Sequence, residues 1–293
     1  MKSKKNKITL FDVVNTTLIL IMCASIILPF ISVFFTSLST SALSMMGSFK
    51  VDWENLSLKN YEVTLKNEYI LKSYVVTVLR TVITTVGAVF LTSIGAYCLS
   101  KPWFPHRGFW MGIVVFTMFF SGGLIPTYLT YVSYGLKDSF WAMVLPGLCG
   151  AYNLIIMRNF FQQIPASIEE SGRLDGAGEL RILLSLIYPI SKPVLATIAM
   201  WVAVGNWNAW FDCLVYIRDT DKFVLQVVLR RIVLQGSSQM MELAGSNANL
   251  ELASNPDGLK AATIFVATIP ILMIYPFAQK YFVKGVIVGS LKG

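Results

Sequence analysis

The chain has 293 residues, of which 55% are hydrophobic and 14% charged, against roughly 25% charged in an ordinary soluble domain. That balance excludes a soluble enzyme with an ordinary polar surface and places the chain in a membrane. The formal net charge of +8 suits segments that face anionic lipid headgroups and is no footprint of nucleic-acid binding.

Crossing the hydrocarbon core takes about 20 mostly apolar residues in a helix, and six runs approach or exceed that: about 13–37, 72–99, 109–133, 139–161, 188–217 and 261–284. The runs are continuously apolar, as in VVTVLRTVITTVGAVFLTSIGAYCL from Val75 to Leu99. A barrel would alternate by residue instead, so the expected fold class is all-α: one polytopic bundle of six transmembrane helices over 1–293. The first run extends to Phe35 with Pro29 inside it and reads as a retained span rather than a cleaved leader.

Lysine and arginine set the orientation. With the amino terminus inside, the inner segments carry thirteen basic residues, among them Lys4, Lys101, Arg107, Arg158, Arg173 and Lys284, against five acids. The outer loops balance at ten of each. Both termini are therefore expected in the cytoplasm.

Along the chain, an outer polar loop spans about Ser39 to Leu71. A second outer region, Arg218 to Lys260, opens with KFVLQVVLRRIVLQ, whose Phe223, Val227, Leu229 and Leu234 predict a short helix lying at the surface or interface. Cys23, Cys98, Cys149 and Cys213 each sit in an apolar run without paired spacing, so they read as packing residues. His106, the one histidine, lies in the short inner loop KPWFPHRG. No zinc site or carboxylate dyad can be assembled from these groups, and no catalytic or metal residue is assigned.

The inner segment Ile164 to Pro193, IPASIEESGRLDGAGELRILLSLIYPISKP, is charged and rich in small residues. Pro165 suits the start of a helix, Ala166 to Leu174 can form about two turns with Glu169 and Glu170 near the positive end of the dipole, and Gly176 and Gly178 interrupt it. Glu179 to Tyr188 then forms a second helix, stopped or kinked near Pro189 and Pro193. Ser171, Gly172, Gly176, Ala177 and Gly178 leave backbone nearly bare, while Glu169, Glu170, Arg173, Asp175, Glu179 and Arg181 supply charge. Residues alone leave two readings open here, a docking element for a soluble partner and a connector between spans.

This segment resembles the EAA loop of ATP-binding-cassette importer permeases: Glu-Ala-Ala, three residues, Gly, nine residues, Ile-x-Leu-Pro. The matching positions are Glu170, Ser171 and Gly172, then Gly176, then Leu186, Ile187, Tyr188 and Pro189. Spacing is kept; Ser171 and Gly172 replace two alanines, Leu186 an isoleucine and Tyr188 a leucine. Together with the Trp-Asn-Ala-Trp stretch and the ending YPFAQKYFVKGVIVGSLKG, the chain is similar to the carbohydrate branch and, within it, to the second permease of oligosaccharide systems akin to the maltose importer. The resemblance implies that the loop couples to a separate nucleotide-binding ATPase through Glu169, Glu170, Ser171, Gly172, Asp175, Gly176 and Ala177. It further implies a second homologous permease, two ATPase subunits holding ATP and Mg, an extracellular or periplasmic solute-binding protein, and a bacterial plasma membrane. The chain lacks G-x-x-x-x-G-K-[ST] and has no ATPase site of its own.

Sugar sites combine aromatic faces with polar edges. GNWNAWFD supplies Asn206, Trp207, Asn208, Trp210 and Asp212 at membrane depth, where polar groups line cavities or hold helices together. Arg80 and Asp212 are the two charges inside spans and can pair with each other or, for Arg80, meet an anionic sugar. Tyr128, Tyr131 and Asn153 complete the pathway candidates. Two rival classes remain: an ion-coupled secondary carrier, for which only Asp212 is available, and a membrane-embedded enzyme, for which no acidic cluster is evident. A non-sugar solute is the alternative within the importer class.

Overall fold

A computed structural model describes residues 9–39, 56–235 and 256–290. The terminal lysines at positions 2–7, the tip of the first outer loop at 40–55 and the glycine- and asparagine-rich stretch at 236–255 lie outside the described residues, as do the side chains of nearly all the carboxyl-terminal motif. Among the described residues the secondary structure is helical, with one isolated antiparallel bridge between Ser39 and Leu56. The helices fall into two compact units, residues 1–68 with 231–268 and residues 69–230 with 269–293.

In the first unit, α1 (Leu10–Leu38) starts on a capping box: the Asp12 N–H donates to Thr9 Oγ1 at 3.3 Å and the Thr9 N–H to Asp12 Oδ2 at 2.9 Å. Pro29 is carried inside it. Large apolar side chains such as Leu18, Leu20, Met22 and Phe30 are exposed around this helix, the pattern of a helix whose solvent is lipid. Its far end is tied to α2 (Lys59–Lys66), where the Asn60 amide donates to the carbonyls of Ser37 and Ser39, both at 2.9 Å, and Ser37 Oγ meets Tyr61 Oη at 2.7 Å.

The second unit is organised on α3 (Glu68–Ser100), whose buried stripe repeats every three or four residues through Ser73, Thr77, Thr81, Thr84, Ala88, Thr92, Ala96 and Ser100. Small residues at helical spacing let neighbouring helices approach closely, the usual packing of membrane helices. A Cβ on Gly87 would stand 2.6 Å from Leu148 Cδ2, so the backbone there lies against its neighbour. Next come α4 (Arg107–Phe119), α5 (Leu124–Ser133), α6 (Trp141–Val144) with a 3-10 turn at Leu145–Leu148, and α7 (Ala151–Phe161). The charged segment forms α8 (Ala166–Leu174) and α9 (Glu179–Ile190), followed by α10 (Lys192–Asn208) and α11 (Phe211–Tyr216). The core packs Ala96 and Tyr97 of α3 with Met157 and Phe161, Ile182, Leu183 and Ile187, and Val194 and Ile198. Two helices cross the unit boundary in sequence, α12 (Leu225–Gln235) and α13 (Pro256–Ser290).

Among the described residues, four helical segments are long and apolar enough to cross a membrane: Leu10–Leu38, Glu68–Ser100, Trp141–Phe161 and Pro256–Ile274. The other two expected spans are bent pairs. The run at 109–133 breaks at Phe120–Gly123, where α4 and α5 meet at 114° and Gly123 takes φ +81°. The run expected at 188–217 is interrupted twice: α9 and α10 are bent by 89° around Ser191, and α10 ends at Asn208, before α11. Tyr188 to Ile190 thus belongs to α9. Within α9, Leu183–Ile187 is a π turn, which widens the helix next to Pro189, whose ring would press on the carbonyl four residues earlier.

The short helix expected at 223–234 exists but does not lie free at an interface. Phe223, Val224, Leu225, Val227, Val228 and Ile232 are buried while Leu234 is exposed, and the Leu225 N–H donates to Thr77 Oγ1 of α3 at 2.8 Å. Of the cysteines expected as packing residues, Cys213 is buried, whereas Cys23 and Cys149 are exposed.

Candidate functional site

The helix, glycine bend and helix predicted for the charged segment are present. At the end of α8 the Ala177 N–H donates to the Gly172 carbonyl at 2.9 Å and the Gly176 N–H to the Arg173 carbonyl at 3.0 Å, the paired bonds of a Schellman cap. The residue that follows the cap must then turn left-handed, and Gly176 does so at φ +75°. No atom lies within 4 Å of a Cβ built on Gly176, so backbone conformation, not crowding, fixes glycine there.

The neighbouring acids of α8 diverge. Glu170, Ser171, Asp175 and Gly176 are exposed, and Ser171 Oγ donates to its own helix at the Ile168 carbonyl. Glu169 turns inward and pairs with Lys101, the residue after α3, each residue being 6% exposed. The Lys101 ammonium stands 4.4 Å over the Tyr97 ring. Tyr97 Oη donates to Glu179 Oε2 at 2.7 Å, and Arg173 Nε donates to Glu179 Oε1 at 3.0 Å while its Nη2 lies 3.9 Å from Glu169. These five side chains close a circuit between the last turn of α3 and both sides of the Gly176 bend. The Arg173 guanidinium is held above its ordinary pKa, chiefly by its hydrogen bond to Glu179. Beside the circuit lies a cavity of about 400 Å³, lined among others by Lys101, Trp103, Arg107, Glu169, Glu170 and Arg173.

Gly172 departs from the expected bare surface. It is buried, and a Cβ there would stand 2.7 Å from Leu186 Cδ1 and 3.3 Å from Ile182 Cγ1, so its smallness admits α9 of the same chain. Ala177 is half-buried against the core. Tyr188 reaches α3 through a hydrogen bond with Ser93.

The pathway candidates separate into two groups. Arg80, 3% exposed, forks onto both oxygens of Asp212, with Nη1 to Oδ1 at 3.2 Å, so these two candidate residues form one pair. Asp212 Oδ1 also accepts the Cys213 N–H at 2.9 Å. Nearby, Tyr131 and Tyr128 lie 4.5 Å and 6.1 Å from the Tyr216 ring, and Tyr131 lines a cavity of about 410 Å³ with Pro126, Thr127 and Thr130. Trp207 is 5% exposed and packs edge-on to Tyr74 at 5.7 Å. Asn206 and Asn208 donate to their own helix at the carbonyls of Val202 and Val204. Trp210 is covered by the Arg230 guanidinium at 4.1 Å, and Asn153 sits half-buried near the start of α7. Lys101 and Tyr97 were not singled out from sequence. A lysine at the end of an apolar run reads as an ordinary interfacial anchor, and nothing local links it to residue 169.

Comparison with known proteins decides the family. The chain is 41% identical over 284 residues to the polygalacturonan/rhamnogalacturonan transport system permease protein YtcP of Bacillus subtilis (strain 168), covering 97% of this chain and 99% of that one. The chain belongs to the carbohydrate permeases of ATP-binding-cassette importers. It is 40% identical over 285 residues to protein LplC of the same organism, across 97% of this chain and 95% of that protein. In three dimensions it matches a chain from the crystal structure of a bacterial ABC transporter involved in the import of the acidic polysaccharide alginate, with a TM-score of 0.85 and 32% identity over 96% of this permease and 100% of that chain. A scan against protein-family models gives no match.

Proposed function

We propose that the chain is the permease subunit through which an ATP-driven importer passes oligosaccharides into a bacterial cell, coupled to separate ATPase subunits by the loop at 164–193. The observation that carries this reading is the exposed α8 with its Schellman glycine, in the spacing Glu170, Gly176, Pro189. A short helix presenting Glu170, Ser171 and Asp175 outward is a rigid plug for a groove in a soluble subunit, and the fixed turn at Gly176 sets the direction in which the next helix leaves. The chain acts as one membrane domain with six spans, counting each bent pair as one, and the charge bias supports both termini in the cytoplasm. Working with it are a second homologous permease, two ATPase subunits that hold ATP and Mg, and a solute-binding protein. ATP binding draws the two coupling loops together and rocks the permeases between inward- and outward-facing states.

The acidic polymers named for two of the matched systems make uronate oligosaccharides the first substrates to test. The cluster of Tyr128, Tyr131, Tyr216 and Asp212 supports a sugar pathway: aromatic faces stack on pyranose rings, and Arg80 neutralises a carboxylate that would otherwise repel an acidic sugar.

The deciding experiment is ATPase activity of the membrane complex purified through this subunit, with its binding protein loaded from a panel of neutral and uronate oligosaccharides. Stimulation by one loaded sugar is expected; absence of any copurifying ATPase overturns the coupling reading. In the same assay Gly176→Pro, which cannot adopt the required φ and deletes the N–H bonded to Arg173, and Glu170→Lys, which reverses an exposed charge, are expected to abolish uptake at unchanged membrane abundance. Normal uptake by both sinks the role of the loop.

A further inference from the structure

We propose that Lys101 is a positioning residue of the transport cycle, whose buried pair with Glu169 fastens the coupling helix to the end of α3 so that loop movement is delivered along α3. The inference rests on the coupling function proposed above and concerns where the force goes after the loop is gripped.

Three observations carry it. First, Glu169 and Glu170 are adjacent and chemically alike, yet Glu170 is exposed while Glu169 and Lys101 bury their charges together. Two well-packed apolar side chains would hold this contact as firmly as a buried ion pair does; what the pair adds is a directional contact that fails when the geometry slips. Second, the charged circuit spans the bend. Glu169 lies before Gly176 and Glu179 after it, and both are bound at the end of α3, Glu179 through Tyr97 of its last turn and Glu169 through Lys101, the residue that follows it. The bend cannot hinge without breaking one of them. Arg158 of α7 donates to the Leu99 carbonyl at 3.0 Å, fixing the same end from another side.

Third, α3 is one uninterrupted helix without proline from Glu68 to Ser100. From Lys101 back to Arg80 it covers about 30 Å at 1.5 Å per residue. A displacement imposed at Lys101 therefore arrives at the Arg80–Asp212 pair beside the tyrosine cluster, because packed helices move as units rather than deform. The fold thereby divides the labour of the two acids: Glu170 faces the driver and Glu169 the driven helix.

The test compares Lys101→Met, Lys101→Arg and the charge-reversed double Lys101→Glu/Glu169→Lys in the whole complex in proteoliposomes, with oligogalacturonate as the probe. Copurified ATPase, ATP hydrolysis and probe moved per ATP are measured together. K101M is expected to retain its ATPase but move about tenfold less probe per ATP, with K101R recovering most of the ratio. A K101M complex with the unmodified ratio overturns the proposal. Should K101M fail to assemble, the double variant decides: recovery of both assembly and ratio upholds the pair, and any other result rejects it. Loss of copurifying ATPase from the unmodified chain is a different failure, that of the coupling reading itself, and the inference falls with it.

Discussion

The Arg80–Asp212 pair, anchored within α3, and the Lys101–Glu169 pair, just past its end, are built differently. At Arg80 the guanidinium is nearly sealed, with its side chain 4% exposed against 27% for Asp212. Among the described residues Asp212 is its one ion-pair partner, and its Nε and the hydroxyls of Thr81, Thr84 and Thr85 have no protein hydrogen-bond partner. At Lys101 every charge has a second contact: the Tyr97 ring for Lys101, Arg173 for Glu169, Tyr97 and Arg173 for Glu179. The pair at membrane depth is a single lock, whereas the pair at the loop is a mesh. Removing one member of a single lock strands a charge in low dielectric; removing one member of a mesh leaves the rest to share the load, so function should fail before the fold does.

The sharpest break of this contrast is Arg80→Met. Asp212 would be left unpaired, a change that typically costs about 3–5 kcal/mol, and the detergent-solubilised protein should lose thermal stability and membrane abundance. The double Arg80→Met/Asp212→Leu removes both charges and should recover most of the loss. If R80M melts with the unmodified protein, the pair is not a lock and the contrast collapses. Lys101→Met should sit below R80M in stability loss while exceeding it in energy wasted per sugar moved. Smaller again is Gly176→Ala, which places a Cβ on a left-handed residue at a cost of roughly 1–2 kcal/mol and meets no neighbour. A modest drop in melting temperature with the coupling ratio retained is expected; a collapse in ratio would mean that the bend itself, and not the mesh around it, carries the force.

How much of this was legible follows from what sequence encodes locally. The helices Leu10–Leu38 and Glu68–Ser100 are visible because each is one unbroken apolar run, and α8 with its glycine stop because Pro165, Glu169, Glu170 and Gly176 are local signals. The bends were harder. Hydropathy has no direction, so Phe120 to Gly123 reads as part of a span although Ser121, Gly122 and Gly123 mark the break. The pairing of Arg80 with Asp212 could be anticipated, since two opposite charges in lipid have few other partners. Lys101 with Glu169 could not, because Lys101 reads as an ordinary interfacial anchor and Glu169 looks like Glu170. Only helical phase distinguishes the two: Glu169 and Gly172, three apart, share the buried face of α8.

The gentlest probe lies away from both pairs, at Asp138, a left-handed residue (φ +58°) between α5 and α6. Its Oδ1 accepts the N–H groups of Arg218 at 3.0 Å and Asp219 at 3.1 Å, and those backbone donors, Asp219 first, hold its carboxyl below the ordinary aspartate range. A carboxyl depressed in the folded state adds stability that is complete above its unfolded pKa, about 3.9, and is lost as pH falls through the folded value. Asp138→Asn keeps the shape and an acceptor but removes the titration. Its melting temperature should therefore fall less steeply than that of the unmodified protein as pH drops below about 4, while near neutrality the variant is slightly the less stable of the two. Parallel acid profiles would show that this loop clasp does not set the acid sensitivity of the permease.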